Sequence, residues 1–318
     1  MKKKYIPSSP SSNSSAHTEL PKTHIPVLLQ EVMTVLSIAK DDIVVDATVG
    51  GMGHAREILS RLGKRGMFIG FDADASALER ARNTLATPHH TVRLVNDNFR
   101  TLDTHLKELG VVEINKALFD LGWNSEQLFS GRGFSFRTDE PLVMTYASGA
   151  THDLMASTIV NEWSEESLAD VFFGFGEERY ARRIARMIVA RREEKLFTTA
   201  RELAEAILEC VPPASRRGRI HPATRVFQAL RIATNDELGA LERGLTEAWK
   251  ALSLYGRIAV ISFHSVEDRL VKRLMKSFVE EGGRLLFKRP LTASDEEVRS
   301  NPRSRSAKLR AIEKVVSR

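Results

Sequence analysis

Residues 46–55, DATVGGMGHA, are the stretch on which the fold turns. They follow the apolar run Ile43-Val44-Val45 and precede AREILSRL, which has helical spacing. A glycine-rich turn between a strand and a helix lets a ligand approach the backbone and its free N–H groups. Three ligand classes use such a turn. A nucleoside triphosphate loop, G-x-x-x-x-G-K-[ST], requires a lysine and a hydroxyl after its last glycine, where this chain has His54-Ala55. The dinucleotide pattern G-x-G-x-x-G fails as well, because Arg56 stands where a reading from Gly51 and Gly53 needs its third glycine. An S-adenosylmethionine (AdoMet) site remains, with backbone N–H groups toward the methionine end of the cofactor and Asp46 able to meet its ammonium by charge.

The flanking sequence repeats the plan. GMFIGFDADASALERARNTL reads as strand, acidic turn and helix; HTVRLVNDNF reads as a third strand, and INKALFD as a fourth that closes on Asp120. Strands alternating with helices predict a parallel sheet of βαβ units, and ligands bind such sheets beyond the carboxyl ends of the strands. Asp72 ends the second strand, 26 positions after Asp46, where a carboxylate can accept both hydroxyls of a ribose. Nicotinamide cofactors use the same device, so Asp72 alone does not separate them from AdoMet. Asp120 falls beside the point where a transferable methyl group would lie, and a carboxylate accepting the N–H bonds of an amine would help localise its lone pair.

After Asp120 the alternation stops. Between about Gln127 and Arg219 the chain reads as helix and loop, with helices in SEESLADVFFGFG, ERYARRIARMIVARRE and TTARELAEAILECV. TRVFQALRIATNDELGALERGLTEAWKAL reads as one long amphipathic helix, and strand character resumes at GRIAVISFHS. The expected division is a disordered tail over 1–22, an α/β domain over 23–127 and 220–318, and an inserted all-helical domain over 128–219.

Among 318 residues, 47 Lys and Arg against 41 Asp and Glu leave a net charge of +6. From Arg179 to Arg231 there are 13 basic against 5 acidic residues, and from Arg284 to Arg318 there are 10 against 4. Such clustering suits a phosphate backbone, and Arg182, Arg183, Arg186, Arg191 and Arg192 on one insertion helix are the expected contacts. The single cysteine, Cys210, excludes an internal disulfide framework and suits a reducing cytoplasm. No apolar run reaches the roughly 18 residues of a membrane span, and no metal-ligand constellation stands out. In SFHSVED, His264 could contact a target base, while Ser265 and Asp268 match a capping box.

Seven blocks in order carry a resemblance: HIPVLLQEV, DATVGGMGHA, FDLGWNSEQL with RGFSF, ERYARRIARMIVARR, HPATRVFQALRI, ISFHSVEDRLVK and NPRSRSAKLRAIEK. Together they resemble the bacterial 16S ribosomal RNA cytosine N4-methyltransferases, the MraW or RsmH family, over nearly the whole chain after the tail. The resemblance implies a Rossmann-like class I AdoMet-dependent methyltransferase that acts on one cytosine in the decoding centre of the small ribosomal subunit. By position it implies AdoMet contacts at Met52, Gly53, His54, Asp72, Phe99, Asp120 and Gln127, with Asp120 catalytic. The chain departs from that family at Met52, where glycine is usual, so this side chain must point away from the cofactor or the loop must shift. It departs again in EPLVMTY (residues 140–146), which would lie near the substrate entrance. An amino-methyltransferase of another nucleic acid, or an rRNA-binding assembly factor with weakened turnover, are the competing readings.

Overall fold

The computed structural model describes residues 25–85, 91–122, 128, 130–146, 154–218 and 220–316. The tail over 1–22 and Gln127 lie outside the described residues. Seven strands form one sheet: β1 (Ile43–Asp46), β2 (Met67–Phe71), β3 (Thr91–Val95), β4 (Ile114–Asp120), β5 (Leu252–Ser262), β6 (Gly283–Leu285) and β7 (Lys308–Lys314). Their order is β3-β2-β1-β4-β5-β7-β6. The first five are parallel. The last two join as antiparallel neighbours, β7 along β5 and β6 along β7.

The central strands are apolar at consecutive positions because both sheet faces are covered. Val44, Phe68, Leu118 and Ala259 face α1 (Leu29–Leu36), α2 (Gly53–Arg61) and α3 (Ala75–Leu85). Val45, Ile69, Ala117 and Ile258 face the other way, toward α4 (Leu102–Glu108) and two later helices. Alternation along the pleat splits each strand between two cores.

Between β4 and β5 the described residues 130–146 form a loop, followed by helices: α5 (Ala156–Glu162), α6 (Glu165–Gly174), α7 (Ala181–Glu194), α8 (Ala200–Cys210), α9 (Pro213–Arg216), α10 (Ala223–Asn235) and α11 (Glu237–Ala251). α5 to α8 pack into a third apolar cluster of their own, joined by Val226, Phe227 and Leu230 of α10. α12 (Ser265–Glu280) and α13 (Asp295–Ser300) complete the described helices.

The single long helix expected from Thr224 onward is two helices. Asp236 takes φ 46° and ψ 48°, a left-handed conformation that ends α10 and begins α11. Asn and Asp tolerate this region better than other side chains, and Arg100 holds the break by donating to Asn235 O and Asp236 O, each at 3.1 Å. Amphipathic periodicity runs through on both sides, which hides the break. No helix among the described residues is long and apolar enough to cross a membrane.

Candidate active site

The chain leaving β1 crosses the ends of its neighbours. Ala47 N–H donates to Leu118 O at 2.9 Å and Val49 N–H to Phe71 O at 3.0 Å. Gly50, at φ +42°, then turns its N–H onto Asp72 Oδ2 at 2.9 Å. The other Asp72 oxygen accepts Asp74 N–H at 2.9 Å. Two backbone donors therefore fix this carboxylate and leave its remaining lone pairs for a ligand. Burial pushes the Asp72 carboxyl up to about 6.

Asp46 is more constrained still. It is 1% exposed, Oδ1 accepts Thr48 N–H at 3.0 Å, and Oδ2 has no hydrogen-bond partner. Burial, with the nearby charges of Asp120 and Asp72 adding to it, pushes its carboxyl up to about 7. An orphaned buried carboxylate oxygen is costly, and a cation close by would offset that cost.

Met52 holds φ 63° at the start of α2, so the position that suits glycine carries a side chain in the left-handed region. Its side chain packs against the apolar cluster of α1, α2 and β1. Gly53 lies beneath Pro26, whose ring would stand 2.8 Å from any Cβ there. His54 is 6% exposed; its Nε2 meets Val27 O at 3.0 Å and its Nδ1 lies 3.5 Å from Asp120 Oδ2. A carbonyl only accepts, so Nε2 carries the proton and the Nδ1 lone pair faces Asp120. Burial holds the ring neutral, with its pKa lowered to about 4. Asp120 Oδ1 accepts Gly122 N–H at 3.3 Å, and its own N–H donates to Thr48 Oγ1 at 2.9 Å.

Two clefts open at these strand ends. The first encloses about 930 Å³, counting space open to solvent, and reaches from Thr48, Gly50 and Asp72 past Phe99 to Asp120. Phe99 packs edge-on against Phe119, ring centres 5.5 Å apart, and Leu238 and Leu241 of α11 also line this cleft. Met52, Gly53 and His54 line a smaller adjoining pocket, which shares Thr48, Gly50, Asp120 and Gly122 with the first cleft. The second cleft encloses about 1580 Å³ and is walled by Phe134, Phe136, Phe227 and Phe263. Asp120, Leu121, Gly122 and Glu267 line both large clefts, so the two meet there.

Several lining residues went unread in the sequence. Tyr146, from the EPLVMTY segment, stacks on Phe134 with ring centres 5.6 Å apart, and its hydroxyl donates to Glu237 Oε1 at 2.7 Å. Arg231 pairs with both oxygens of Glu237, at 2.8 and 2.9 Å. Asn235 accepts Tyr146 N–H and donates to Met144 O, each at 2.8 Å. The helix break at Asp236 brings Asn235 and Glu237 to the first cleft; the adjacent Asn-Asp pair is the one signal that could have located it.

The capping box at α12 lies one residue earlier than expected. His264 Nδ1 accepts Glu267 N–H at 3.3 Å, and Glu267 Oε2 accepts Phe263 N–H at 2.9 Å and His264 N–H at 3.4 Å. Asp268, expected as the box partner of Ser265, instead binds Arg310 at 2.7 Å and Lys308 at 3.2 Å. Glu237, His264 and Glu267 bring candidate metal-ligand atoms within 4.8 Å of one another, but Arg231 already neutralises Glu237.

The first cleft fits AdoMet: a pinned carboxylate for a ribose, and Phe99, Leu238 and Leu241 for an adenine, with the orphaned Asp46 oxygen buried behind the wall that Ala47 and Thr48 form. Comparison with known proteins agrees. Ribosomal RNA small subunit methyltransferase H of Oceanobacillus iheyensis is 43% identical over 309 residues, covering 92% of this chain and 94% of that protein. The proteins of the same name from Paenibacillus sp. and Geobacter sulfurreducens are each 45% identical, covering 92% of this chain and 99% of theirs. Residues 21–315 match the MraW methylase family, and the chain belongs to that family of AdoMet-dependent methyltransferases.

Proposed function

We infer that the protein methylates the N4 amine of one cytosine in the decoding centre of 16S rRNA, within the small ribosomal subunit. One observation carries the reading: a cofactor-shaped cleft and an aromatic-walled cleft meet at the strand-end carboxylate Asp120. The relatives' names supply the small-subunit rRNA, and the cytosine and its place come from the family resemblance. AdoMet, when bound, supplies an electrophilic methyl group at that junction.

The chain's residues do the positioning. Asp72 accepts the ribose hydroxyls, Phe99 flanks the adenine, and Asp46 with the Met52-Gly53-His54 turn receives the methionine end; the family resemblance puts Gln127 near the reacting end. The nucleobase leaves its stack and enters between the phenylalanines of the second cleft, since the reacting amine cannot be reached inside a helix. The exocyclic amine of cytosine is a donor, and carboxylates are its natural partners. Asp120 accepts one N–H bond, which favours localisation of the lone pair and aligns it for in-line attack. The amine must then lose a proton, and Asp120 Oδ2 backed by the His54 Nδ1 lone pair is placed to take it. The inserted segment over 128–219 contributes Phe134, Phe136 and Met144 to the wall of the second cleft and supports the RNA over this junction.

The test is methyl transfer from isotopically labelled AdoMet to small-subunit particles, naked 16S rRNA and duplex DNA, followed by nucleoside mass spectrometry. N4-methylcytidine from particles is the expected product. Label in another nucleoside, or transfer to DNA alone, would sink the reading; AdoMet binding without transfer to any of the three would favour an assembly factor.

A further inference from the structure

None of the five insertion-helix arginines expected to grip RNA lines the second cleft, and three of them have partners within the protein. Arg186 lies 3.4 Å from Glu165, Arg191 2.5 Å from Glu209, and Arg192 donates to Val160 O at 2.9 Å. The cations at the mouth of the second cleft come from elsewhere. Pro302–Ser306 forms a 3-10 turn just before β7, and Arg303 and Arg305 from this turn line the cleft and are exposed.

This turn is built rigidly. Asn301 is 6% exposed and donates to Ile25 O at 3.1 Å. Leu28 N–H donates to Glu297 Oε1 at 2.8 Å, tying α13 to the same N-terminal segment. Ser304 is fully buried and donates to Asn301 O at 2.8 Å, and Ala307 is 1% exposed. Buried anchors at 301, 304 and 307 leave 303 and 305 to project between them. Lys308 and Arg310 pair with Asp268 and Arg284 with Glu313, and none of these three lines the cleft. Charge is therefore graded along the cleft. Its carboxylates, Asp120 and Glu267, lie at the junction with the first cleft, and its exposed arginines lie at the mouth.

The geometry points to Arg303 and Arg305 as a phosphodiester clamp, binding the RNA backbone beside the nucleotide whose base enters the second cleft. This rests on the acceptor-cleft reading above. Guanidinium groups match phosphate oxygens in pairs, and fixing the flanking backbone would set how far the base can reach toward Asp120.

The test compares Arg303→Ala/Arg305→Ala, Arg303→Lys/Arg305→Lys and Arg182→Ala/Arg183→Ala in the full-length protein. It measures transfer to small-subunit particles and binding of a single-stranded 16S fragment across salt concentrations. The alanine pair should raise the RNA KM on the order of 10- to 100-fold, with the loss falling on KM rather than on kcat. It should lower the slope of log affinity against log salt by about 1.4, or about 0.7 for each phosphate contact in single-stranded RNA. The lysine pair should keep most of the slope, and AdoMet affinity and Tm should not move. An unchanged KM and slope in the alanine pair, with the wild type active, would overturn the clamp alone. A wild type that methylates no small-subunit RNA would overturn the acceptor-cleft reading and the clamp with it.

Discussion

Asp46 makes cofactor binding depend on pH in a way that can be worked out in advance. Its carboxyl stands at about 7 against an ordinary 3.8, because burial and the charges of Asp120 and Asp72 disfavour ionisation. A rise of about three units at about 1.36 kcal/mol each puts the cost of ionising it at neutral pH near 4 kcal/mol. The folded pKa is raised, so this contribution to stability is fully present below 3.8 and is lost as pH rises through 7. The cofactor-free protein should therefore lose stability between about pH 4 and 7 and level off above that, and Asp46→Asn should flatten that loss. An ammonium beside Oδ2 reverses the preference and binds best to the ionised acid. At pH 6 only about one molecule in eleven has Asp46 ionised, so AdoMet should bind about tenfold more weakly than on its plateau. Affinity should rise through pH 7 and fall again above about 8, where the α-amino group of the ligand loses its proton. Titration calorimetry from pH 5.5 to 9 reads the profile, and buffers of differing ionisation enthalpy read the protons released. Asp46→Asn should bind more weakly than the plateau and without the rise between pH 6 and 8. A wild-type affinity constant over that interval, or the same rise in Asp46→Asn, would refute the reasoning.

Other consequences concern the loop and the network behind it. Met52 carries left-handed backbone strain of about 1 kcal/mol, so Met52→Gly should raise stability by about 0.5–1 kcal/mol in chemical denaturation. A loss above 1 kcal/mol would show that Met52 packing outweighs its strain. Arg231 is 8% exposed and holds both oxygens of Glu237, so Arg231→Met should leave a buried charge unpaired and cost about 3–5 kcal/mol. Arg231→Met/Glu237→Leu should recover much of that stability; equal losses in the single and double variants would mean that the pair is not coupled.

The parts of the site that were legible in the sequence are those written in consecutive residues. The glycine turn, Asp72 and Asp120 each follow an apolar run, and a parallel sheet places every such strand end on one edge. Phe99 was different: as a lone aromatic after a polar turn it carries no local signal, and only the family resemblance marked it. The wall contributed by Tyr146, Asn235 and Glu237 depends on contacts across 89 and 91 positions, which no local pattern encodes. The break at Asp236 escaped because helical periodicity is the same on both sides of it. β7 escaped because Lys308, Arg310 and Lys314 resemble a basic tail, although Leu309, Ala311 and Ile312 are buried and the lysines and arginine are paired. The capping box was placed one residue late because His264 caps through a ring nitrogen, which a search for Ser, Thr or Asp does not see.

The account rests most directly on Asp120 at the junction of the two clefts. The decisive measurement is the single-turnover rate of methyl transfer to small-subunit particles by Asp120→Ala, with AdoMet saturating and its Kd measured in parallel. Loss of an acceptor aimed at the reacting amine should lower the rate on the order of 100-fold, while AdoMet Kd changes by only about threefold. A variant that kept the full rate would contradict the account.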